Sequence, residues 1–506
     1  MVIPVERSPV QILPDASRVV AKFFVNSTER TLELARRVAA LSDDDVWSHL
    51  QQILRDFSRR HRNIATVFGR HFARVEATLE QHGIDVEDWS RHRGLLLGAY
   101  VTKEFSIEAA AFFNPSAVLA PDQRALLPSE TRLVVSIRAT GEGHLSSLEF
   151  RYVIADEDGT LRIDPAADRI EEARFKRDHR YRRDAFCGKL NEMAGAPEAT
   201  ACSRFVRHLP ESFTYDELTR HLTDAQREGR PDAPTDDELQ EILWLADSHY
   251  EISFSMDTDI SERVILPISD WESRGIEDAR FVRFVDDAGA VTYYATYTAY
   301  DGFSILPKLI ETKDFYRFRI RPLYGAGASN KNLALFPRKV GGRYAMLARI
   351  DGVNNYIMFS ESLTVWSEPQ FLLGPEHPWE FVQMGNCGSP IETPEGWLLI
   401  THGVGPMRTY RLGAALLDLD DPTQVIARLP YPLLSPEEEE REGYVPNVVY
   451  SCGSVIIGER LLVPYAVSDY SSGFAWIPLK ELMAELLAHK VDEAHTSYAA
   501  PAASTR

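Results

Sequence analysis

The spacing of apolar positions divides the chain into helical and strand-like stretches. Between residues 29 and 95, Val46, Leu50, Ile53, Leu54 and Phe57 recur at the spacing of one helix face. Ser42, followed by three aspartates, predicts the start of that helix, because a hydroxyl cap and early acids suit a helix N-terminus. Phe68, Phe72, Val75 and Leu79 predict a second helix, and Arg59, Arg60, His61 and Arg62 read as a solvated face. From about residue 131 the pattern changes to short alternating strands, with Asp158-Gly159 a hairpin turn. Residues 168–247 return to a charged, helical texture. Strands resume near Ile252 and run to about 478, where LKELMAELLAHK predicts a closing amphipathic helix.

The strand regions repeat. RLVVSIRATGEGH from Arg132, VTYYATYTAYDG from Val291, RYAMLARIDG from Arg343, GWLLITHGVG from Gly396 and RLLVPYAVSD from Arg460 can be written in one phase. A period of about 40–50 residues with four strands per unit is the signature of a β-propeller. The expected fold is mainly β: a five-bladed β-propeller with an N-terminal helical extension and a helical insertion between blades one and two. The boundaries are 1–111 for the extension, 112–167 for blade one, 168–247 for the insertion, and 248–494 for blades two to five with the C-terminal helix. Residues 495–506, small and polar, are expected to be disordered. Six residues after four of the repeat starts stand Arg138, Tyr297, Arg349 and His402, with Tyr465 the neighbouring candidate in the fifth. Equivalent blade positions point the same way, so these side chains are expected to converge on a central channel.

Charge narrows the partners. The chain of 506 residues carries 55 basic and 75 acidic side chains, a net charge of −20, which argues against nucleic acid and anionic membrane. No run of about 18 apolar residues or basic leader is present, so a cytoplasmic protein is expected. The four cysteines form no CxxC and read as free thiols in a reducing compartment. Phosphate-loop, nucleophile-elbow and HExxH motifs are missing, and no residue cluster calls for a metal or an organic cofactor.

Three segments have the residue types for sugar chemistry. In Gly275-Ile276-Glu277-Asp278-Ala279-Arg280, two acids and an arginine at a loop–strand junction suit a catalytic acid with its charge partner. Ser329-Asn330-Lys331-Asn332, after the glycine-rich RPLYGAGAS, concentrates amides and a cation where a sugar hydroxyl or anion could be held. Asp469 follows the last repeat's strand and could accept from sugar hydroxyls. Each of the first two strings alone also reads as an ordinary surface loop.

Together, GIEDARF, TYTAYDG, NKNLALFPRKVGGRYAMLARIDG, SESLTVWSEP, GWLLITHGVG, YRLGAALLDLDDPTQVIARLPYPLLSPE and GYVPNVVYSCGSVIIGERLLVPYAVSD resemble glycoside hydrolase family 130 in order and spacing. That family comprises β-mannoside phosphorylases and β-mannosidases. The resemblance runs from about 112 to 480 and places the chain in a longer branch with helical additions. It implies inverting cleavage of a β-mannoside, with Asp278 the general acid, passing its proton through a sugar hydroxyl. The nucleophile is inorganic phosphate, giving α-mannose 1-phosphate, or water in the hydrolases. On this resemblance Lys331, Arg349, His402, Tyr410, Arg138 and Asn114 hold phosphate, and Asn332, Asp469, Arg280, Tyr297 and Asp301 contact the sugar. Lys331 replaces an arginine, Gln383 a lysine and Ala279 a proline of the family pattern. A water nucleophile would need a base, for which Glu108, Glu142, Glu277 and Glu392 are candidates. The expected partner is an oligosaccharide, with inorganic phosphate as co-substrate and homo-oligomers as in other family members. A propeller that binds glycan without turnover is the remaining alternative.

Overall fold

The computed structural model describes residues 3–25, 27–176, 180–193, 205–269, 272–300 and 305–491. Asp301, Cys202 and the tail expected to be disordered lie outside the described residues. The chain is mainly β. Among the described residues, five antiparallel units of four strands follow one another.

Unit one contains Ala111–Leu119, Glu130–Thr140, Ser146–Asp156 and Leu161–Ile163. Unit two contains Gly275–Val285, Val291–Tyr300, Ile305–Thr312 and Arg317–Pro322. Unit three contains Lys331–Leu335, Tyr344–Arg349, Asn355–Ser360 and Gln370–Leu373. Unit four runs Gln383–Asn386, Gly396–Val404, Tyr410–Leu417 and Val425–Arg428. Unit five has Val449–Tyr450, Arg460–Val467 and Ser471–Pro478, and takes its outer strand from the other end of the chain, where Glu6 pairs with Trp476. Units one and two touch in register at one parallel pair, Ser146 with Gly275. Gly275 has φ 128°, and a Cβ there would meet the Ser146 nitrogen at 2.8 Å. A side chain would open this junction.

Successive residues of a strand point to opposite faces, and here both faces are covered. Trp397 and Leu399 pack with unit three, while Leu398 and Ile400 pack with unit five. Equivalent apolar clusters fill the seams between units one and two (Phe150 with Phe281) and between units two and three (Phe284 with Leu335). A further cluster joins unit five to unit one, with Leu462 and Trp476 against Val135 and Ile137.

Helices Thr28–Ala39, Asp43–Phe57, Ile64–Gln81 and Arg91–Tyr100 precede unit one. Ser27, Ser42 and Ser90 each accept a backbone N–H of the helix they cap. The basic cluster at 59–62 is not simply solvated. Arg62 pairs with Glu262, and His61, 5% exposed, bonds Glu104 at 2.8 Å. Between units one and two, helices Tyr215–Arg227 and Asp236–Asp247 start at capping boxes, Thr214 with Glu217 and Thr235 with Glu238. Strands Tyr250–Ser253 and Arg174–Lys176 extend the sheet of unit two.

Beneath unit two lies a polar knot. Glu272 and Lys308 are both fully buried and pair at 2.8 Å. Tyr297 donates to the same carboxylate at 2.6 Å and Tyr250 at 3.0 Å. Burial pushes the Glu272 carboxyl up, but Lys308, Tyr297 and the Ile268 N–H outweigh it and hold it below its ordinary value. Removing one partner of such a pair leaves an uncompensated buried charge. Lys308→Met should therefore cost about 3–5 kcal/mol in urea unfolding, and Glu272→Gln added to it should recover part of the loss; an undiminished stability would show that the pair bears no load.

Candidate active site

The first strands of units one, two and three share one irregularity. Each has a β-bulge, between Phe113 and Ser116, between Glu277 and Arg280, and between Lys331 and Ala334. Each bulge begins with a residue in the left-handed region: Asn114 (φ 54°), Asp278 (φ 53°) and Asn332 (φ 69°). Bulges of this kind re-aim side chains, and a left-handed aspartate costs stability that its surroundings must offset. The sequence signal is the short polar residue, Asn or Asp, the types that tolerate this conformation best.

Asp278 is the centre. Asn114 Nδ2 donates to its Oδ1 at 2.7 Å, and Arg138 Nη1 approaches the same oxygen at 3.4 Å. Arg138 Nη2 donates to Glu277 at 2.8 Å, and Lys331 Nζ reaches the other Glu277 oxygen at 2.7 Å. Glu277 thus bridges two cations beside the candidate acid. Arg280 is 2% exposed and lies behind this group, donating to the Asp278 carbonyl at 3.0 Å and to the Tyr450 hydroxyl at 2.6 Å. Asn332 donates to the same hydroxyl at 2.9 Å and to the Asn386 carbonyl at 3.0 Å. Arg280 and Asn332, read from sequence as sugar contacts, are both buried and meet at the Tyr450 hydroxyl, with Arg280 alone bonding the strand that bears Asp278. Tyr450, which ties units two, three and five together, was not singled out in the sequence; its only signal was its place in the GYVPNVVYSCG segment.

A second group adjoins the first. Lys331 pairs in register with Arg349, and Gly385 with His402. A Cβ on Gly385 would stand 2.8 Å from the His402 ring, so glycine makes room for it. Arg349 Nη1 faces His402 Nε2 at 3.4 Å, the His402 ring stacks with Tyr410 at 6.2 Å, and Tyr450 lies edge-on at 4.9 Å. Burial, with Arg349 and Arg280 adding to it, pushes His402 well below the ordinary histidine value, so the imidazole is neutral. Arg349 Nε is buried and, among the described residues, without a hydrogen-bond partner. Gln383 is on the same face, aligned with Tyr410 across Val404.

Tyr297 does not join the site. The bulges align Thr298, not Tyr297, with Arg138 and Arg349, since Thr298 pairs with Glu277 as Arg349 pairs with Lys331. A register shift of one residue turns a side chain to the opposite face, where Tyr297 meets Glu272. Tyr465 likewise belongs to the core and donates to Glu440 at 2.5 Å. Of the candidate bases, Glu108 is buried between Arg18 and Arg151, Glu142 pairs with Lys103, and Glu392 pairs with Arg338. Only Glu277 adjoins Asp278. Among the described residues, no three His, Cys, Asp or Glu side chains group to hold a metal ion.

Burial pushes Asp278 up, yet the charges of Arg138, Arg280 and Lys331 and the Asn114 hydrogen bond outweigh it and hold the carboxyl below the usual range. Asp469, also left-handed at φ 50°, goes the other way. Burial raises it to about 7, helped by Asp278 and Glu277 and opposed by Arg138. Two carboxyls beside one arginine are therefore driven apart.

Comparison with known proteins gives the family. A family model described as beta-1,4-mannooligosaccharide phosphorylase, glycoside hydrolase family 130, matches residues 237–487. A 1,2-beta-oligomannan phosphorylase of Thermoanaerobacter sp. (strain X514) is 38% identical over 218 residues, 42% of this chain and 71% of that protein. The chain belongs to glycoside hydrolase family 130. A beta-1,2-mannobiose phosphorylase of Listeria innocua is 33% identical over 231 residues, 44% of this chain and 63% of the relative. A solved structure of the beta-1,2-mannobiose phosphorylase from Listeria innocua with beta-1,2-mannobiose aligns at TM-score 0.44 and 22% identity, covering 76% of this chain and 94% of that one. The family 130 match begins inside helix Asp236–Asp247 and leaves out unit one. Asn114 and Arg138 of unit one nevertheless reach Asp278.

Asp469 gives this site a signature in pH. The folded protein keeps its proton up to about pH 7, whereas the unfolded chain loses it near about 4. Its contribution to stability is therefore fullest below about pH 4 and is lost as pH rises through 7. Between pH 4 and 8, the melting temperature of wild type should fall relative to Asp469→Asn; a constant difference would show an ordinary carboxyl.

Proposed function

We propose that this protein cleaves β-mannosides by phosphorolysis, releasing α-mannose 1-phosphate. The observation that carries the reading is the set of cations around Asp278. Arg138 and Lys331 flank it, and Arg349, with an Nε unpartnered among the described residues, sits beside neutral His402. A phosphate dianion needs several donors, cations first, in a partly desolvated site; Arg138, Lys331 and Arg349 would supply the charge, and His402, Tyr410 and Asn114 the neutral contacts. Water as nucleophile would need a free carboxylate base, whereas Glu277 is engaged by two cations.

In the reaction, a phosphate oxygen attacks the anomeric carbon from the face opposite the leaving oxygen. The glycosidic C–O bond breaks, the leaving oxygen receives the Asp278 proton, and the anomeric centre inverts. Asp278 is held ionised in the free protein, so it must first take that proton from solvent. A dianion among Arg138, Lys331 and Arg349 offsets the charges that depress the carboxyl and raises its proton affinity. Phosphate binding thus prepares the acid. Asp469, kept protonated to about pH 7, is our candidate for a donor to a sugar oxygen.

The fold that carries this chemistry is a five-bladed propeller. The five units, the apolar cluster at each seam and the cluster joining unit five to unit one support this reading. The site lies where the bulged first strands of units one to three meet units four and five.

The two relatives described above act, by their names, on β-1,2-linked mannose, so β-1,2-mannobiose is the first substrate to test. Incubation with and without inorganic phosphate should give mannose 1-phosphate only in its presence. Asp278→Asn should lower kcat at least about a hundredfold. Free mannose at the same rate without phosphate would refute phosphorolysis.

A further inference from the structure

The cations around the candidate acid are unequally occupied. Arg138 and Lys331 are paired with Glu277, and Arg280 is spent on Tyr450 and a backbone carbonyl. Arg408 is different. Its Nη2 donates to the Tyr410 hydroxyl at 3.4 Å, and among the described residues no carboxylate pairs with it. Tyr410 in turn stacks on His402, which faces Arg349. Arg408 is thus a solvent-facing guanidinium linked through one tyrosine to the buried anion-binding group.

The backbone that delivers it is unusual. Arg408 ends the turn between the second and third strands of unit four, where Met407 (φ 57°) and Arg408 (φ 53°) are both left-handed. Two adjacent side-chain-bearing residues in that region cost stability. The corresponding turn of unit one has the same form, with Gly143 and His144 left-handed. There, however, His144 is taken up by the Tyr444 hydroxyl at 2.9 Å. Gln383, aligned with Tyr410 across Val404, brings no charge to this side of the site.

We infer that Arg408 is a phosphate-binding residue. It captures the dianion at the mouth and hands it to Arg349 and His402 by swinging about Tyr410. A guanidinium matches two phosphate oxygens in a fork, and its exposure lets it collect the anion from solution before desolvation. This rests on the phosphorolytic reading, and the two can fail separately.

Steady-state kinetics on β-1,2-mannobiose with varied inorganic phosphate tests the inference. Arg408→Ala should raise the KM for phosphate about tenfold or more, the loss expected for one charge-assisted contact. It should change the KM for the mannoside less than twofold, and Arg408→Lys should recover part of the phosphate KM. The thermal protection that phosphate alone gives the wild-type protein should weaken in Arg408→Ala at equal phosphate. A phosphorolytic wild type whose Arg408→Ala variant keeps its phosphate KM and its phosphate protection would overturn the inference. A wild type that turns over mannoside without phosphate would instead overturn the function on which it rests.

Discussion

The arrangement depends on an aspartate held in a left-handed bulge and kept ionised by surrounding cations. Asp278 has φ 53°, and Asn114, Arg138 and Arg280 all bond to it, two through its carboxylate and one through its own carbonyl. Those contacts come from units one and two and, through Tyr450, from unit five. The strain of the bulge is thus offset by a web that no single unit could provide. The same cations that stabilise the carboxylate are the donors an incoming anion would use. Structure and chemistry compete for one set of charges, and phosphate binding would resolve the competition by taking over the role of counter-ion.

The five units serve that centre. Apolar side chains alternate across both faces of each sheet and fill every seam, so the strands cannot slide without burying the wrong residues. The chain's two ends are joined in unit five by the pairing of Glu6 with Trp476. Below unit two, Glu272 and Lys308 fix the segment that enters the Asp278 strand.

Much of this was legible in the chain. The strand repeats and the helix starting at Ser42 stand out, because periodicity and capping are properties of neighbouring residues, whereas GIEDAR alone reads equally as a surface loop and is singled out only by the family resemblance. Asn114, Asp278, Arg138, Lys331, Arg349, His402 and Tyr410 are brought together. What could not be read depends on bulges and long-range contacts. The repeat start at Val291 is one residue out of phase with those of units one and three, so counting six positions from it reaches Tyr297, which faces the core, and not Thr298, which pairs with Glu277 as Arg349 pairs with Lys331. Tyr450 gathers Arg280 and Asn332 from positions 170 and 118 residues away, and nothing in its local sequence announces that role. Glu272 and Lys308, 36 residues apart, meet only because loop and strand fold over one another. The basic cluster at 59–62 looked solvated because its acidic partners, Glu104 and Glu262, lie in later segments.

On this reading the cations hold Asp278 ionised until phosphate relieves them. The most direct measurement is an NMR titration of the ¹³C-labelled Asp278 carboxyl, assigned by its loss in Asp278→Asn, without and with saturating inorganic phosphate. A pKa below the ordinary aspartate value is expected in the free protein, with an upward shift on phosphate binding. An ordinary or raised value in the free protein, or no shift on phosphate binding, would contradict this reading.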